Sequence, residues 1–323
     1  MNPIELLKAN LLSPMVLCFG LGIIARFLRS DLRLPESVYV ALSTYLLLAI
    51  GMKGGVALGE SGIMRVLGPL VATIVLGTLT PAITFWVCRQ IGRLKVADSG
   101  AMAAHYGSVS AVTFIASQTF VHSQGVLYDN FMPALVTVME IPAIVVGLLL
   151  ARSEMPGGGG TLKAALHEIL TGKSVVLLAG GMVIGMMTGK EGFAKVEPFF
   201  VQPYQGVLCL FLLDMGLHAA KRLRDLKKAG VFLGLFATLG PMVFGFMGVA
   251  AGYISGLTVG GATVLGAMAA SASYIAAPAA VRISLPSANP SIYLTAAVGV
   301  TFPFNLTVGI PLFFMLAKLI YGG

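Results

Sequence analysis

The sequence predicts an all-α integral membrane protein made of two five-helix halves that cross the membrane in opposite senses. The first observation is composition: 57% of the 323 residues are hydrophobic and 11% are charged, with a mean hydropathy of +0.91. Soluble domains carry about 25% charged residues. The second is a repeated pentapeptide, Gly-Ala-Met-Ala-Ala, at 100–104 and 266–270. Together they exclude an ordinary soluble protein and indicate an internal repeat.

Apolar runs of the length needed to cross a membrane, about 20 residues, define the individual spans. The chain contains ten: 11–29, 37–58, 66–88, 98–121, 131–151, 174–189, 199–220, 229–253, 260–282 and 290–320. Residues 152–173 include Pro156 and four following glycines, which is typical of a linker. We therefore divide the chain into a first repeat (1–151), a short cytoplasmic linker (152–173) and a second repeat (174–323).

The basic residues predict the orientation. With the N-terminus outside, most of the 21 Lys and Arg residues fall on the cytoplasmic side, as the positive-inside rule requires. We expect a multi-pass protein of the inner (plasma) membrane with both termini outside. This distribution accounts for the net charge of +8 without a nucleic-acid partner. A soluble partner bound to the 221–228 basic cluster is the alternative.

Further pairs of matching residues place the two halves in register. Thr80-Pro81 and Gly240-Pro241 occupy spans three and eight, and Ile141-Pro142 and Phe302-Pro303 occupy spans five and ten. Because each half has an odd number of spans, the copies must run in opposite senses. Inverted repeats of this kind are typical of secondary transporters. A chance repeat of a Gly/Ala pentapeptide is the alternative, and the additional pairs argue against it.

Each pentapeptide is followed by a segment that disfavours a helix. The first continues into 105–110 (HYGSVS) and the second into 271–278 (SASYIAAP). We predict a break in each span, with new half-helices starting near Val109 and near Tyr274. Their free N–H groups and positive dipole ends would form an anion site near the midplane without Lys or Arg. The alternative is a pair of small-residue helix crossings whose Ser hydroxyls bond back to carbonyls.

The residues predicted to bind the anion all lie at the two breaks. They are Gly107, Ser108, Val109, Ser110, Ala272, Ser273 and Tyr274.

A cation site is expected beside the anion site. Glu140 lies inside span five, where an ionised group is costly and indicates function. Oxygen ligands suit Na⁺ or a proton relay rather than a transition metal. The candidates are Thr80, Glu140, Asp214, Ser271, Thr301 and Asn305. Alternatively, Glu140 and Asn305 only bridge helices through hydrogen bonds. Asp214 can also pair with His218 one turn later, while His218 and Lys53 near span ends are expected to snorkel. We expect no organic cofactor.

Four segments resemble a known family. They are YLLLAIGMKGGVAL (45–58), AMAAHYGSVSAVTF (101–114), FLLDMGLHAAKRL (211–223) and ASASYIAAPAAVR (270–282). They resemble the sodium-dependent bicarbonate transporter family of the SbtA type, which is related to bile-acid sodium symporter-like folds. The resemblance implies a five-plus-five inverted repeat with gate and core domains, a homotrimer and an elevator motion. It also implies bicarbonate at Gly107–Ser110 and Ala272–Tyr274, with Na⁺ as the coupling ion nearby.

One departure from the family concerns regulation. Cyanobacterial members usually carry a longer cytoplasmic insert between the halves, where this chain has the short linker 152–173. A PII-like cytoplasmic regulator is therefore an open expectation.

The expected function is sodium-coupled uptake of bicarbonate by elevator-type alternating access. The first alternative is sodium- or proton-coupled transport of another small anion, such as a carboxylate, on the same fold. The second is an intramembrane hydrolase using Ser108 or Ser110 with His105, and the third is a channel. The small residues around both breaks favour a compact anion, and no third catalytic member or oxyanion arrangement is evident. We therefore do not expect an enzyme.

Overall fold

Helices account for the regular structure throughout the first half. The computed structural model of the protein describes residues 3–155, 167, 170–274 and 276–322. The first-half helices are α1 (Pro3–Leu11), α2 (Pro14–Phe27), α3 (Glu36–Ser61), α4 (Ile63–Gln90), α5 (Val96–Gly107), α6 (Ala111–Ser123) and α7 (Met132–Ser153). The predicted linker, 152–173, lies mostly outside the described residues.

From its third helix onward, the second half has the same order as the first: two long helices, two short ones and a long one. Its helices are α8 (Lys173–Ala194), α9 (Glu197–Phe200), α10 (Tyr204–Ala229), α11 (Val231–Ile254), α12 (Val259–Ala269), α13 (Ala277–Ser284) and α14 (Pro290–Ile320). Within α14, Thr295–Thr301 and Asn305–Gly309 are π-helical and flank Pro303. Proline removes a backbone donor, and π-helical turns are frequent at functional sites.

The structure describes a multi-pass membrane protein. Among the described residues, seven helices are long and apolar enough to cross a membrane, or eight if α1 and α2, bent by 61°, form one span. Predicted spans 98–121 and 260–282 are each split into two shorter helices, α5–α6 and α12–α13. Every one of the ten predicted segments thus coincides with one helix or one pair of helices.

Two single glycines join consecutive long helices at equivalent places in the two halves. Gly62 alone connects α3 to α4, with φ of 67°, and Gly230 alone connects α10 to α11, with φ of 86°. Positive φ is accessible to glycine because it has no Cβ. The sequence predicted a longer loop, 59–65, at the first joint; the glycine lets both helices extend up to it.

Close glycine contacts define one group of helices. Gly22 of α2 meets Gly216 of α10, and Gly51 of α3 meets Gly181 of α8. Small residues let helix backbones approach closely, which is how membrane helices gain packing energy. We call α2, α3, α8 and α10 the glycine-packed group. Each of its two crossings joins a helix of the first half to a helix of the second, α2 to α10 and α3 to α8.

The remaining long helices form a second group around the broken helices. In the first half α4, α5 and α7 pack against one another, and in the second half α11, α12 and the Ile310–Ile320 part of α14 do the same. The halves also interlock, because α6 packs on α12 and α13 packs on α5. We call this the broken-helix group, and the two breaks lie at its centre.

The α3–α8 crossing provides a test of close packing. A Cβ at Gly55 would overlap the backbone of Met182, whereas a Cβ at Gly59, one turn later in α3, would meet open space. We expect Gly55→Ala to destabilise the protein by about 1–3 kcal/mol through overpacking. Gly59→Ala is the matched control and is expected to be neutral or to stabilise by up to about 1 kcal/mol, because alanine favours helix. Thermal unfolding in detergent measures both, and equal melting temperatures would contradict the packing.

Candidate functional site

The first break separates α5 from α6. Ser108 is extended, with φ of −89° and ψ of 155°, and Ser110 caps α6 by accepting a hydrogen bond from the Thr113 amide at 3.2 Å. Serine is a preferred N-cap because its hydroxyl satisfies a free helix amide. The predicted break is confirmed, and α6 starts at Ala111, close to the predicted Val109.

The second break is longer than predicted. Helix α12 ends at Ala269, and α13 begins at Ala277 rather than near Tyr274. The predicted start near Tyr274 is therefore wrong. The reason is Pro278, which lacks an N–H and fits the first turn of a helix but not its interior. Residues Ser271–Tyr274 consequently remain non-helical.

The two breaks are bonded directly to each other. The Ser273 amide donates to the His105 carbonyl at 2.8 Å, and His105 Nδ1 bonds to the Ser273 carbonyl. Because a carbonyl oxygen only accepts, the hydrogen of this imidazole is on Nδ1. On the other side of the contact, the Ser110 amide donates to Ser271 Oγ at 2.8 Å. The backbone of one broken helix thus supplies hydrogen-bond partners to the other.

A small cavity lies where the breaks meet, with a volume of about 10 Å³. That volume holds about one water-sized sphere. Its lining consists of Val109, Ser110, Ala111, Glu140, Ser174, Ser273 and Tyr274. The structure therefore brings together four residues of the predicted anion set and one of the predicted cation set. The sequence analysis missed Ala111 and Ser174; the linker before Ser174 carries no local signal that α8 starts at this cavity.

The cavity combines a helix N-terminus with a buried carboxyl group. The first-turn amides of α6, beginning at Ala111, have no acceptor within their own helix, and the dipole makes this end positive. Glu140 is 3% exposed, and its Oε2 has no hydrogen-bond partner among the described residues. An ionised carboxylate here is costly unless a cation accompanies it. The site therefore suits an anion together with a cation or proton.

Asn305 lies beside the second break, and only one of its two side-chain polar atoms has a described hydrogen bond. Its Nδ2 donates to the Ala270 carbonyl at 2.7 Å, while its buried Oδ1 has no partner within the described part of the chain. Ser271, in the same break, donates its hydroxyl to the Met268 carbonyl at 2.7 Å. The amide oxygen of Asn305 and the Glu140 oxygen are hard donors of the kind that bind Na⁺.

Thr301 bridges helices at the first break. Its hydroxyl donates to the Ala237 carbonyl at 2.6 Å, so the Tyr106 hydroxyl, 2.7 Å away, donates to Thr301. Thr80 donates to the Leu76 carbonyl of its own helix at 2.9 Å. Both hydroxyl groups are thus already hydrogen-bonded to carbonyls in this conformation.

Asp214 lies away from the cavity lining, in α10. Its Oδ2 is 3.3 Å from Nδ1 of His218, which confirms the predicted pair. Of the remaining predicted residues, Gly107 packs against the Pro81 ring, and Ala272 is buried without lining the cavity.

The serine–histidine arrangement of a hydrolase is not formed by the described residues. Ser108 Oγ and His105 Nε2 are both buried without a described hydrogen-bond partner, so they are not bonded to each other. Ser110 Oγ accepts from the Thr113 amide. A nucleophile needs a base within hydrogen-bond reach.

Comparison with known families identifies the protein. The family model of the Na⁺-dependent bicarbonate transporter superfamily matches residues 14–318, from the first residue of α2 to the last turn of α14. The chain belongs to this superfamily. It is thus a member of a transporter family rather than an enzyme family, and the resemblance inferred from the four segments is confirmed. No curated protein sequence matches the transporter significantly.

The bond between the breaks can be tested at His105, which also stacks on Tyr293 with ring centroids 4.4 Å apart. His105→Phe retains an aromatic ring but leaves the buried Ser273 carbonyl without its imidazole donor. We expect a loss of stability of about 1–3 kcal/mol, the usual cost of an unsatisfied buried group. Ser99→Ala in α5, which removes a buried hydroxyl with no described partner, is the control. Thermal unfolding that ranks the two variants equally would contradict the role of this bond.

Proposed function

We propose that the transporter carries out sodium-coupled uptake of bicarbonate, with the anion bound between the two helix breaks. The observation that supports this most strongly is the shared cavity. It joins Ser110 and Ala111 at the start of α6 with Ser273 and Tyr274 of the second break, and it places Glu140 against both. Backbone amides and hydroxyl groups recognise a small oxyanion without a fixed positive charge.

Electrostatics gives a reason for coupling the two ions. A bicarbonate placed beside ionised Glu140 is repelled unless a positive charge lies between them. Na⁺ held by Glu140, with Asn305 and nearby carbonyl oxygens of the second break as further candidates, would supply it. Each ion then raises the affinity for the other by the same factor.

The size of the cavity requires movement during transport. A volume of about 10 Å³ admits about one water-sized sphere, which is too small for the four heavy atoms of bicarbonate. Binding must therefore separate Glu140 and the two breaks slightly. We propose that this conformation is a contracted state of the cycle.

Ten crossings in an inverted repeat fit the packing of the helices. Exchanging the two halves would place the α2–α10 crossing where the α3–α8 crossing lies. It would likewise place the glycine joint at Gly62 where the joint at Gly230 lies. The two helix groups provide the parts that an elevator needs, with the broken-helix group as core and the glycine-packed group as gate. We propose that the core carries both ions past the gate.

The remaining parts of the proposal rest on the family and on the basic residues of the sequence. They are a homotrimer in the inner (plasma) membrane, with both termini outside. A PII-like regulator would act from the cytoplasmic side, where we place the linker 152–173. Another small anion, such as a carboxylate, is the second candidate substrate, because amides at a helix N-terminus bind any compact oxyanion.

Uptake into proteoliposomes tests the function. We expect labelled bicarbonate to accumulate only with an inward Na⁺ gradient, and an equal K⁺ gradient to have no effect. Unlabelled acetate or formate in excess, at fixed pH, should compete poorly. Accumulation without Na⁺ would contradict the coupling, and strong competition by a carboxylate would shift the substrate to that anion.

Glu140 provides a sharper test of the cation site. Glu140→Gln retains the shape of the side chain but removes its charge, so we expect at least about a tenfold weaker apparent Na⁺ affinity, or loss of Na⁺ dependence. Asn305→Ala should shift Na⁺ affinity in the same direction. Glu154→Gln, which alters a carboxylate paired with Arg89 at 2.9 Å outside the cavity, is the control. Unchanged Na⁺ affinity in both Glu140→Gln and Asn305→Ala would refute the assignment.

A further inference from the structure

A second and much larger cavity opens elsewhere in the molecule, with a volume of about 340 Å³. It lies between α3, the α6–α7 region and the start of α10, so that both helix groups contribute to its wall. Cavities of this size are typical of small-ligand sites. We call it the Lys53 cavity.

The charge in this cavity is positive and uncompensated. Lys53 is the only lysine, arginine or carboxylate in its described lining, and it takes part in none of the ion pairs of the described residues. Lys53 was expected to snorkel from a span end. Helix α3 continues to Ser61, two turns beyond it, and the solvent-exposed side chain of Lys53 forms part of the cavity wall.

The groups around Lys53 are hydrogen-bonding side chains. Gln118 and His122 of α6 and Gln205 of α10 line the cavity. Tyr204 also lines it, although its hydroxyl group is itself buried. One cation with neutral donors around it is suited to a small anion.

Two helices connect this cavity to the one between the breaks. In α6, Ala111 lines the smaller cavity and Gln118 lines the Lys53 cavity; in α7, Glu140 and Pro133 do the same. Each pair is seven residues apart, which places both members on one helix face and about 10 Å apart along the axis. The two cavities are therefore neighbours along the same helix faces.

We propose that the Lys53 cavity is a second anion site, which captures a small inorganic oxyanion before it reaches the cavity between the breaks. That the anion is bicarbonate rests on the proposed function. A fixed charge in a cavity with low-dielectric walls concentrates counter-ions and speeds their association. A single solvent-exposed ammonium group holds an anion weakly, which lets the anion move on. Capture by charge and recognition by amides are thus separated along α6 and α7.

The charge of the cavity can be measured without transport. A cysteine is introduced by Gln118→Cys in the full-length protein, and its rates of modification by an anionic and a cationic methanethiosulfonate reagent are compared. Labelling of the chain without this substitution is subtracted, because Cys18 and Cys209 are half-buried. Adding Lys53→Gln should lower the anionic-to-cationic rate ratio about fivefold. Lys190→Gln removes an exposed lysine paired with Glu60 and should leave the ratio unchanged.

Bicarbonate kinetics then test capture itself. We expect Lys53→Gln to raise the KM for bicarbonate about fivefold with an unchanged maximal rate, and Lys53→Arg to retain the original KM. Lys190→Gln again serves as the charge control. An unchanged labelling ratio in Lys53→Gln would overturn the anion site. An altered ratio with unchanged KM would overturn the capture role. Absence of bicarbonate uptake in the unmodified protein would refute the proposed function, whereas the labelling result would still decide the site.

Discussion

The contact between the two helix breaks is the constraint on which the rest of the structure depends. Interrupted helices leave amides and carbonyls without partners, and a membrane offers no water to satisfy them. Here each break satisfies part of the other, through the Ser273 amide with the His105 carbonyl and the Ser110 amide with Ser271 Oγ. The helices around them must therefore hold both breaks in one register. This explains why α4, α5 and α7 pack in the first half as α11, α12 and α14 do in the second.

Outside the breaks, glycine residues allow the helices to pack closely. Helix crossings at Gly22 with Gly216 and at Gly51 with Gly181 bring backbones together without intervening side chains. The two helix groups interlock where they meet: Phe19 of α2 packs edge-to-face on Phe302 of α14, and Gly54 of α3 lies against the Pro133 ring of α7.

In our proposal, the two cavities bind the same class of ion by different physical means. Between the breaks, helix amides bind the anion and the carboxyl group of Glu140 holds the accompanying cation. In the Lys53 cavity, a formal positive charge attracts the anion in a much larger space. Amides fixed in a helix select by geometry and cost no reorganisation, whereas an ammonium group on a flexible stem attracts at longer range. Separating the two roles avoids a tightly held anion that is slow to leave.

Local composition determined most of the architecture: hydropathy located the helical segments, and the repeated pentapeptide with Ser and Pro after it located both breaks. It also singled out Glu140 and Asn305 as candidate cation ligands, because polar groups inside apolar spans are conspicuous; the structure buries both side chains. The errors of the sequence analysis have two sources, the packing of distant helices and the position of one proline. Helix α13 starts at Ala277 because Pro278, which has no N–H, fits the first turn of a helix but not its interior. Hydropathy does not distinguish these two positions. Only the tertiary structure decided that Ser174 lies at the cavity, that Asp214 lies outside its lining, and that Lys53 lines a second cavity. Those are contacts between helices distant in the chain, and no spacing along one helix encodes them.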